Sequence, residues 1–346
     1  MAYTTIAKPN QYFNTVLYQS NNSTPQSITG VNFQPDFLWV KDRDGGGTHV
    51  LVDAVRGSTK WLASDQTSGE VTRADQVTSF DSDGFSLGAD SGNFINYLTD
   101  NNVSWNWLAN GAGVSNTDGD ITSTVSASTT SGFSVVKYTG TGANATVGHG
   151  LGAEAKWVLV KRLDTTGGWI SGHSSLGFTK NLYFTTAGVN TSSAIWNNTA
   201  PTSSVFSLGT DTDVNASGGT YVAYCFAEKK GFSKFGSYTG NGNADGAFVY
   251  TGFKPAFILI RSVSTTNWNM FDNKRSAFNV SDETLWSNSG DTEATIGTSY
   301  GMDILSNGFK ARSTSSQVNF NNIQMVYMAF AENPIVTTDG LPATAR

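Results

Sequence analysis

Residues 34–43 read QPDFLWVKDR and place the basic residue Lys41 directly after the apolar run Phe37-Leu38-Trp39-Val40. The same pattern, an aromatic residue, three apolar residues and a cation, returns as WVLVK at 157–161 and FILIR at 257–261. Runs without polar alternation are typical of strands covered on both faces. We therefore expect three equivalent buried strands, each ending where the stem of a cation packs on the core and its charged head reaches water.

Three further markers surround each run in the same order. A tyrosine precedes the run, a phenylalanine follows it, and each copy closes on an alanine. The markers are Tyr18, Tyr138 and Tyr238; Phe85, Phe206 and Phe309; and Ala109, Ala227 and Ala331. The tyrosines lie 120 and then 100 residues apart. Self-similarity in a fixed order predicts an internal repeat with three copies.

Within each copy, Val, Ile, Phe, Tyr, Trp and Thr cluster in short runs bounded by Gly, Asn, Asp and Ser, and long helical periodicity is absent. This pattern predicts strands. We predict an all-β fold of three tandem β-sandwich units of the jelly-roll or lectin-like kind. The predicted boundaries are 1–112 for the first sandwich, 113–131 for a polar linker, 132–230 for the second sandwich, and 231–346 for the third sandwich with a C-terminal tail.

Composition excludes several classes of function. The net charge is -6 and the basic residues are scattered, which argues against nucleic-acid binding. The apolar runs are far shorter than the roughly 18 residues that span a bilayer, so we expect no membrane insertion. The single cysteine, Cys225, excludes an intrachain disulfide and a cysteine-based metal site. The first residues lack the basic and apolar regions of a secretory signal, so we expect synthesis in a cytoplasm.

An aspartate followed three residues later by an arginine occurs in the first and third copies. The pairs are Asp53 with Arg56 and Asp272 with Arg275, and the second copy has His173 and Leu176 at these positions. One interpretation makes each pair a binding site for a sugar or a carboxylate. The other, which we favour, makes the aspartate the cap of a turn that pairs with the arginine.

Three tryptophans lie among polar residues: Trp196 in AIWNNT, Trp268 in TNWNM and Trp286 in LWSNS. Packing in a sandwich core is one interpretation, because each indole buries a large area. Exposure is the other, and an exposed indole could stack on a sugar ring. Together with the two Asp–Arg pairs, these tryptophans are the predicted binding residues.

No motif for catalysis, metal or cofactor binding is found. The acidic clusters DSDG, TDGD and DTD lack the twelve-residue calcium loop, so we expect turns there. The glycine motifs TGTGAN and TGNGNADG lack the lysine and helix of a phosphate loop. The histidines show no metal-ligand spacing, and no serine lies in a nucleophile elbow. We therefore expect a protein without enzymatic activity, metal or cofactor.

The repeat residues resemble those of a family of bacteriophage virion proteins with a repeated β-rich unit. The first copy carries Phe33, Pro35, Asp36, Phe37, Trp39, Lys41, Asp53, Val55, Arg56, Gly57, Gly84 and Phe85, and the third copy carries YTGNG at 238–242. The second copy departs most, because it lacks the proline and aspartate before the strand and the arginine. If those residues have a role in the family, the second copy has lost it.

The resemblance implies a non-enzymatic structural protein of a phage particle, in the virion and assembled in the host cytoplasm. It favours a tail or tail-fibre component that acts in host attachment or appendage assembly. The implied partners are other virion proteins, a host-surface glycan and further copies of the chain in a homo-oligomer. One alternative is a capsid decoration protein, in which three tandem units mimic a trimer. A second is a glycan-degrading tailspike, for which the sequence offers neither a long β-helix nor a framed acid pair.

Overall fold

The computed structural model describes residues 3–21, 25–295 and 299–334. The fold is all-β, as predicted, and consists of antiparallel sheets. The helices in the described ranges are short and lie in connections. They are a 3-10 helix over Pro9–Gln11, α1 (Ser193–Trp196), α2 (Thr212–Asn215) and α3 (Ser316–Asn319). The predicted C-terminal tail, 335–346, lies outside the described residues.

Large sheet 1 has six strands and small sheet 1 has three. In spatial order, large sheet 1 consists of β1 (Phe13–Gln19), β9 (Asn101–Trp107), β3 (Phe37–Asp42), β4 (Val50–Asp53), β5 (Gly57–Leu62) and β6 (Val71–Thr72). Small sheet 1 consists of β2 (Gln26–Thr29), β8 (Gly84–Leu87) and β7 (Val77–Asp81).

Large sheet 2 has eight strands and small sheet 2 has two. Large sheet 2 consists of β10 (Val114–Asn116), β11 (Ser123–Ser128), β12 (Phe133–Thr139), β19 (Thr220–Ala227), β14 (Ala155–Arg162), β15 (Trp169–His173), β16 (Lys180–Tyr183) and β17 (Asn190–Thr191). Small sheet 2 consists of β13 (Ala145–Gly148) and β18 (Val205–Leu208).

Large sheet 3 has six strands and small sheet 3 has three. Large sheet 3 consists of β20 (Ser233–Thr239), β28 (Gln324–Pro334), β22 (Phe253–Ser262), β23 (Asn269–Asp272), β24 (Glu283–Trp286) and β25 (Ala294–Thr295). Small sheet 3 consists of β21 (Phe248–Tyr250), β27 (Gly308–Ala311) and β26 (Met302–Leu305).

The segment 113–131 corrects the prediction of a polar linker. It contributes β10 and β11 to the edge of large sheet 2, where β11 pairs with β12. Val125 lies opposite Val136 in this pairing and is buried. Successive side chains of a strand point to opposite faces, so a strand with one face on the core needs few large apolar residues. The Ser- and Thr-rich sequence of β11 therefore did not indicate a strand.

The apolar runs form β3, β14 and β22, and they occupy equivalent places. On one side, each pairs with the strand that comes last in sequence in its large sheet, which is β9, β19 or β28. On the other side, each pairs with the strand that directly follows it in sequence, which is β4, β15 or β23. In β3, all six side chains from Phe37 to Asp42 are buried. The prediction of strands covered on both faces is therefore confirmed for these runs.

The two faces of the large sheets pack into different cores. One face of each sheet contributes to a single central core, in which the rings of Phe37 and Tyr224 lie 4.2 Å apart and those of Phe226 and Phe330 lie 6.0 Å apart. The other face packs on the small sheet of the same number, in a separate core. The three large sheets thus surround shared aromatic packing, and the small sheets lie outside.

Candidate functional site at the seams between the large sheets

The three repeated cations are buried, which corrects the expectation that their heads reach water. Lys41, Lys161 and Arg261 are each 0% exposed. Lys161 Nζ donates to the carbonyl of Thr67, in the connection between β5 and β6 of large sheet 1, at 3.1 Å and to that of Gly167 at 2.9 Å. The Lys41 ammonium instead donates to a carbonyl of its own copy, Asp42 O, at 2.7 Å. The charges can stay inside because carbonyl acceptors take the place of water.

Arg261 of large sheet 3 makes the equivalent contact with large sheet 2. Its Nη1 donates to the carbonyl of Tyr183 at 2.7 Å, and its Nη2 donates to the carbonyl of Ala187. Burial lowers the pKa of Arg261 to about 10 and that of Lys161 to about 8. Burial also lowers the pKa of Lys41, against the attraction of nearby carboxylates. Each shift follows from the loss of water around the buried charged group.

Backbone hydrogen bonds join the large sheets in a closed ring. We call the contacts between large sheets 1 and 2, 2 and 3, and 3 and 1 the 1–2, 2–3 and 3–1 seams. The bonds run from Glu70 N to Leu163 O, from Val189 N to Val263 O, and from Glu293 N to Arg43 O, each at 2.8 Å. The same contact at all three seams means that the third sheet meets the first as the first meets the second.

A ring N–H also crosses each seam at an equivalent place. Trp169 Nε1 donates to Ala63 O at 2.7 Å, and Trp268 Nε1 donates to Tyr183 O at 2.9 Å. At the 3–1 seam the ring is His49, whose Nδ1 lies 2.8 Å from Trp39 Nε1 and whose Nε2 lies 2.9 Å from Trp286 O. Since the indole N–H must donate to Nδ1, the proton of the neutral histidine is on Nε2, which donates to the carbonyl across the seam.

A matched pair of variants measures how much the hydrogen bond from Trp169 Nε1 to Ala63 O contributes to stability. Trp169→Phe is expected to lower the free energy of unfolding by about 1 kcal/mol more than Trp196→Phe. Both indoles are buried and lose the same volume, but Trp196 Nε1 has no acceptor among the described residues. Urea unfolding followed by circular dichroism measures both losses. Equal losses would contradict a stabilising role for the seam bond.

The two Asp–Arg pairs lie inside the seams. Asp53 and Arg56 are joined at 2.5 Å, and Asp272 and Arg275 at 2.6 Å, with all four side chains 0% exposed. Asp53 Oδ1 also accepts from the backbone N–H of Arg56 at 2.9 Å. The geometry therefore corresponds to the turn-and-pair interpretation, and neither carboxylate has a face open to a ligand.

Each aspartate also receives a donor from another sheet. The Tyr224 hydroxyl of large sheet 2 donates to Asp53 Oδ2 at 2.8 Å, and Trp105 Nε1 of large sheet 1 donates to Asp272 Oδ2 at 3.1 Å. Sequence reasoning missed both donors. The signal that could have found them is the closing strand of each copy. Tyr224 and Trp105 lie at equivalent positions in β19 and β9, the strands that come last in sequence in their large sheets.

The 2–3 seam uses a neutral histidine in place of the charged pair. His173 Nδ1 accepts from the backbone N–H of Ser175 at 3.1 Å, so Nε2 carries the proton and donates to Tyr327 O at 3.2 Å. Burial lowers the pKa of His173 to about 4. The second copy has therefore replaced an ion pair with an uncharged contact across the same kind of seam.

Two of the three tryptophans predicted to be available for stacking are inaccessible. Trp196 and Trp268 are each 0% exposed, so the stacking interpretation is wrong for both. Trp196 packs on Phe178 at 5.8 Å, and Trp268 packs on Phe184 at 4.7 Å. Trp286 is half-buried, with its Nε1 donating to the Asn269 side chain at 3.0 Å. Polar neighbours in sequence did not indicate exposure, because Trp196 ends α1 and Trp268 directly precedes β23, and both indoles pack into hydrophobic cores.

A cleft of about 650 Å³ lies outside the 3–1 seam. Amide side chains such as Asn14 and Asn273 line it, with Lys8, Lys274 and Glu332. Glu332 is the carboxylate of the lining, and it is paired with Lys254 at 2.7 Å. Such a lining can bind polar groups, but it has no histidine, cysteine or second carboxylate with which to move a proton.

In the described ranges, 3–21, 25–295 and 299–334, no three His, Cys, Asp or Glu side chains come together where they could hold a metal ion. None of the helices in these ranges has the length and apolar character needed to cross a membrane.

The family described as Domain of unknown function (DUF7483) matches residues 8–334. No curated protein matches the chain. The matched range begins before β1 and ends with β28, so it contains all three large sheets and all three seams. The chain therefore belongs to the family Domain of unknown function (DUF7483).

Proposed function

We propose that the chain is a non-enzymatic structural protein of a bacteriophage particle, in the tail or tail fibre, where it takes part in host attachment or appendage assembly. The resemblance of its repeat residues to phage virion proteins supports this role. The observation that carries it is the closed ring of seams, in which Lys161, Arg261 and the two Asp–Arg pairs make contacts that join one large sheet to the next. Chemistry-bearing side chains committed to internal contacts favour a rigid building block over an enzyme.

Each copy of the repeat is, in this proposal, one β-sandwich made of a large and a small sheet. The support is that each large sheet buries one face on the small sheet of its own segment. The repeated tyrosines support it too, because each bonds a carbonyl of its own copy. These bonds run from the hydroxyls of Tyr18, Tyr138 and Tyr238 to the carbonyls of Ile95, Val214 and Val318.

A capsid decoration protein is the second candidate, and the same ring favours it. One chain with three equivalent seams has a nearly threefold outline. Such an outline suits a position where three capsid subunits meet, and the protein would then need no further copies of itself. In the tail, by contrast, we propose contacts with other virion proteins and assembly into a homo-oligomer.

Locating the chain in purified particles tests the proposal. Antibody-gold labelling is expected on the tail or its fibres, with pre-immune serum as the control. Label on the shell would overturn the tail role and support the decoration role. Release of reducing sugar from host polysaccharide by the purified chain would overturn the non-enzymatic role and support the glycan-degrading tailspike.

A further inference from the structure

Small sheet 3 differs from the other small sheets in its outer face. In β21, Val249 points into the core while Phe248 and Tyr250 are 48% and 57% exposed. Val249 lies opposite Phe309 of β27, which fixes its place in the repeat. Two large aromatic rings two residues apart therefore stand on one solvent face of a short strand.

The equivalent positions in the other copies show that the fold does not need these rings. Opposite the repeated phenylalanine lies Ile28 in small sheet 1 and Val147 in small sheet 2. The residues that flank them are Ser27, Thr29, Thr146 and Gly148. In two copies out of three, polar or very small residues occupy the positions of Phe248 and Tyr250. Packing within the fold therefore does not explain why the third copy exposes aromatic rings there.

A pocket of about 260 Å³ adjoins Tyr250. Tyr3 forms one wall, and its hydroxyl donates to Gly252 O at 3.1 Å. Burial and the hydrogen bond with Tyr250 raise the pKa of Tyr3 to about 12. The hydroxyl therefore stays protonated, and the two tyrosines hold one another in place beside the pocket.

The pocket lining carries one more positive than negative side chain. Its lining includes Glu228, Lys230 and Lys234. Glu228 and Lys234 form an ion pair at 2.7 Å, and Lys230 holds its Nζ 4.5 Å from the centre of the Tyr3 ring. One ammonium group is thus in excess, and it lies over an aromatic face at the pocket mouth.

We propose that Tyr3, Tyr250 and Lys230 form a binding site for an acidic saccharide. The apolar face of a pyranose ring lies on Tyr250, with Phe248 extending the aromatic surface to the next sugar. Glu228 and Lys234 accept and donate hydrogen bonds to hydroxyl groups, and the ammonium of Lys230 takes the carboxylate. A saccharide fits better than an extended peptide, because the aromatic rings stand on the sheet face, whereas a peptide would pair with the free edge of β21.

This inference deepens the proposed role in host attachment and rests on that role for its biological setting. Its test uses the purified full chain in solution, so it can fail or hold independently of where the chain lies in a particle. The probes are an oligosaccharide of glucuronic acid units and the same oligosaccharide with its carboxylates reduced to alcohols. Isothermal titration calorimetry measures the affinity for each.

The acidic oligosaccharide is expected to bind, and Tyr250→Ala is expected to weaken it roughly tenfold, the loss of one stacking contact. Lys230→Gln is expected to remove the preference for the acidic probe over the reduced one. The matched control is Thr29→Ala, which changes the equivalent exposed position of small sheet 1 and is expected to leave binding unchanged. Unfolding curves check that each variant is folded, as expected for changes at exposed positions.

Three results would overturn the proposal. One is the absence of binding by either probe at millimolar concentration. Another is binding that survives Tyr250→Ala but is lost in Thr29→Ala, which would move the site to the cleft that Thr29 also lines. The third is equal affinity of the unsubstituted chain for the acidic and the reduced oligosaccharide, which would leave the ammonium of Lys230 without a role.

Discussion

Lowering the pH from 7 to 4 is expected to reduce the free energy of unfolding, with about 3 kcal/mol of the loss coming from His173, because buried histidines must stay neutral in the folded protein. Burial lowers the pKa of His173 to about 4, whereas an unfolded histidine has a pKa of about 6.5. Between these two pH values, His173 is protonated in the unfolded chain and neutral in the folded protein. The stabilising contribution is therefore complete above about pH 6.5 and is lost as the pH falls towards 4.

His49 adds to the same loss. Burial holds its pKa below the usual range, and the nearby charge of Lys41 lowers it further, while Asp65 acts against this. Asp36 and Asp42 act in the opposite sense, because burial raises the pKa of each and a proton bound to the folded state stabilises it. A variant that removes one histidine separates its contribution from those of the carboxyl groups.

His173→Asn is that variant, since it keeps a side-chain N–H and removes the titration. Urea unfolding at a series of pH values is expected to show that the variant loses about 3 kcal/mol less than the wild type between pH 7 and pH 4. A wild-type protein equally stable at both pH values would contradict the prediction. So would a variant with the same pH dependence as the wild type.

Asp53→Ala is expected to cost about 3 to 5 kcal/mol of unfolding free energy, the usual effect of leaving one partner of a buried ion pair alone. Arg56 would keep its charge, because a guanidinium stays protonated across the accessible pH range and Glu70 still attracts it, but its fully buried side chain would lose its closest carboxylate. Glu70 would remain at 3.3 Å from Arg56 Nη1, but it is 21% exposed and contacts the other side of the guanidinium. The Tyr224 hydroxyl would also lose its acceptor across the 1–2 seam.

The second copy of the repeat supplies the control. The double variant with Asp53→His and Arg56→Leu carries the pair found at His173 and Leu176. It removes both charges together, so it is expected to be less destabilising than Asp53→Ala. Urea unfolding followed by circular dichroism compares the two. A double variant that costs as much as the single one would show that the charge left behind is not the cause.

The strand content of the fold was predictable because a pattern of strands needs only short-range signals. The run from Phe37 to Val40 is apolar at every position, which predicts burial on both faces, and the structure confirms it. The segment 113–131 gave the opposite signal, since β11 contains one large apolar side chain, Val125. β11 lies beside the edge strand β10 and is held mainly by backbone hydrogen bonds, which leave little trace in side-chain composition.

The seams were not predictable, because their acceptors come from other copies of the repeat. Nothing near Lys161 in sequence indicates that the carbonyl of Thr67 lies beside its ammonium. Without that partner, water was the only expected environment for the charge. The same gap explains Trp268, which is buried by Tyr183 and Phe184 of the second copy.

The 3–1 seam determines when the protein can become stable during its synthesis. Arg43 and Glu293, whose side chains meet there at 2.5 Å, are 250 residues apart in the chain. Large sheet 1 therefore leaves the ribosome long before one of its neighbours exists, with aromatic side chains of the central core still uncovered. Contacts of such long sequence separation form slowly, so the nascent chain has a prolonged need for chaperone protection until its final strands emerge.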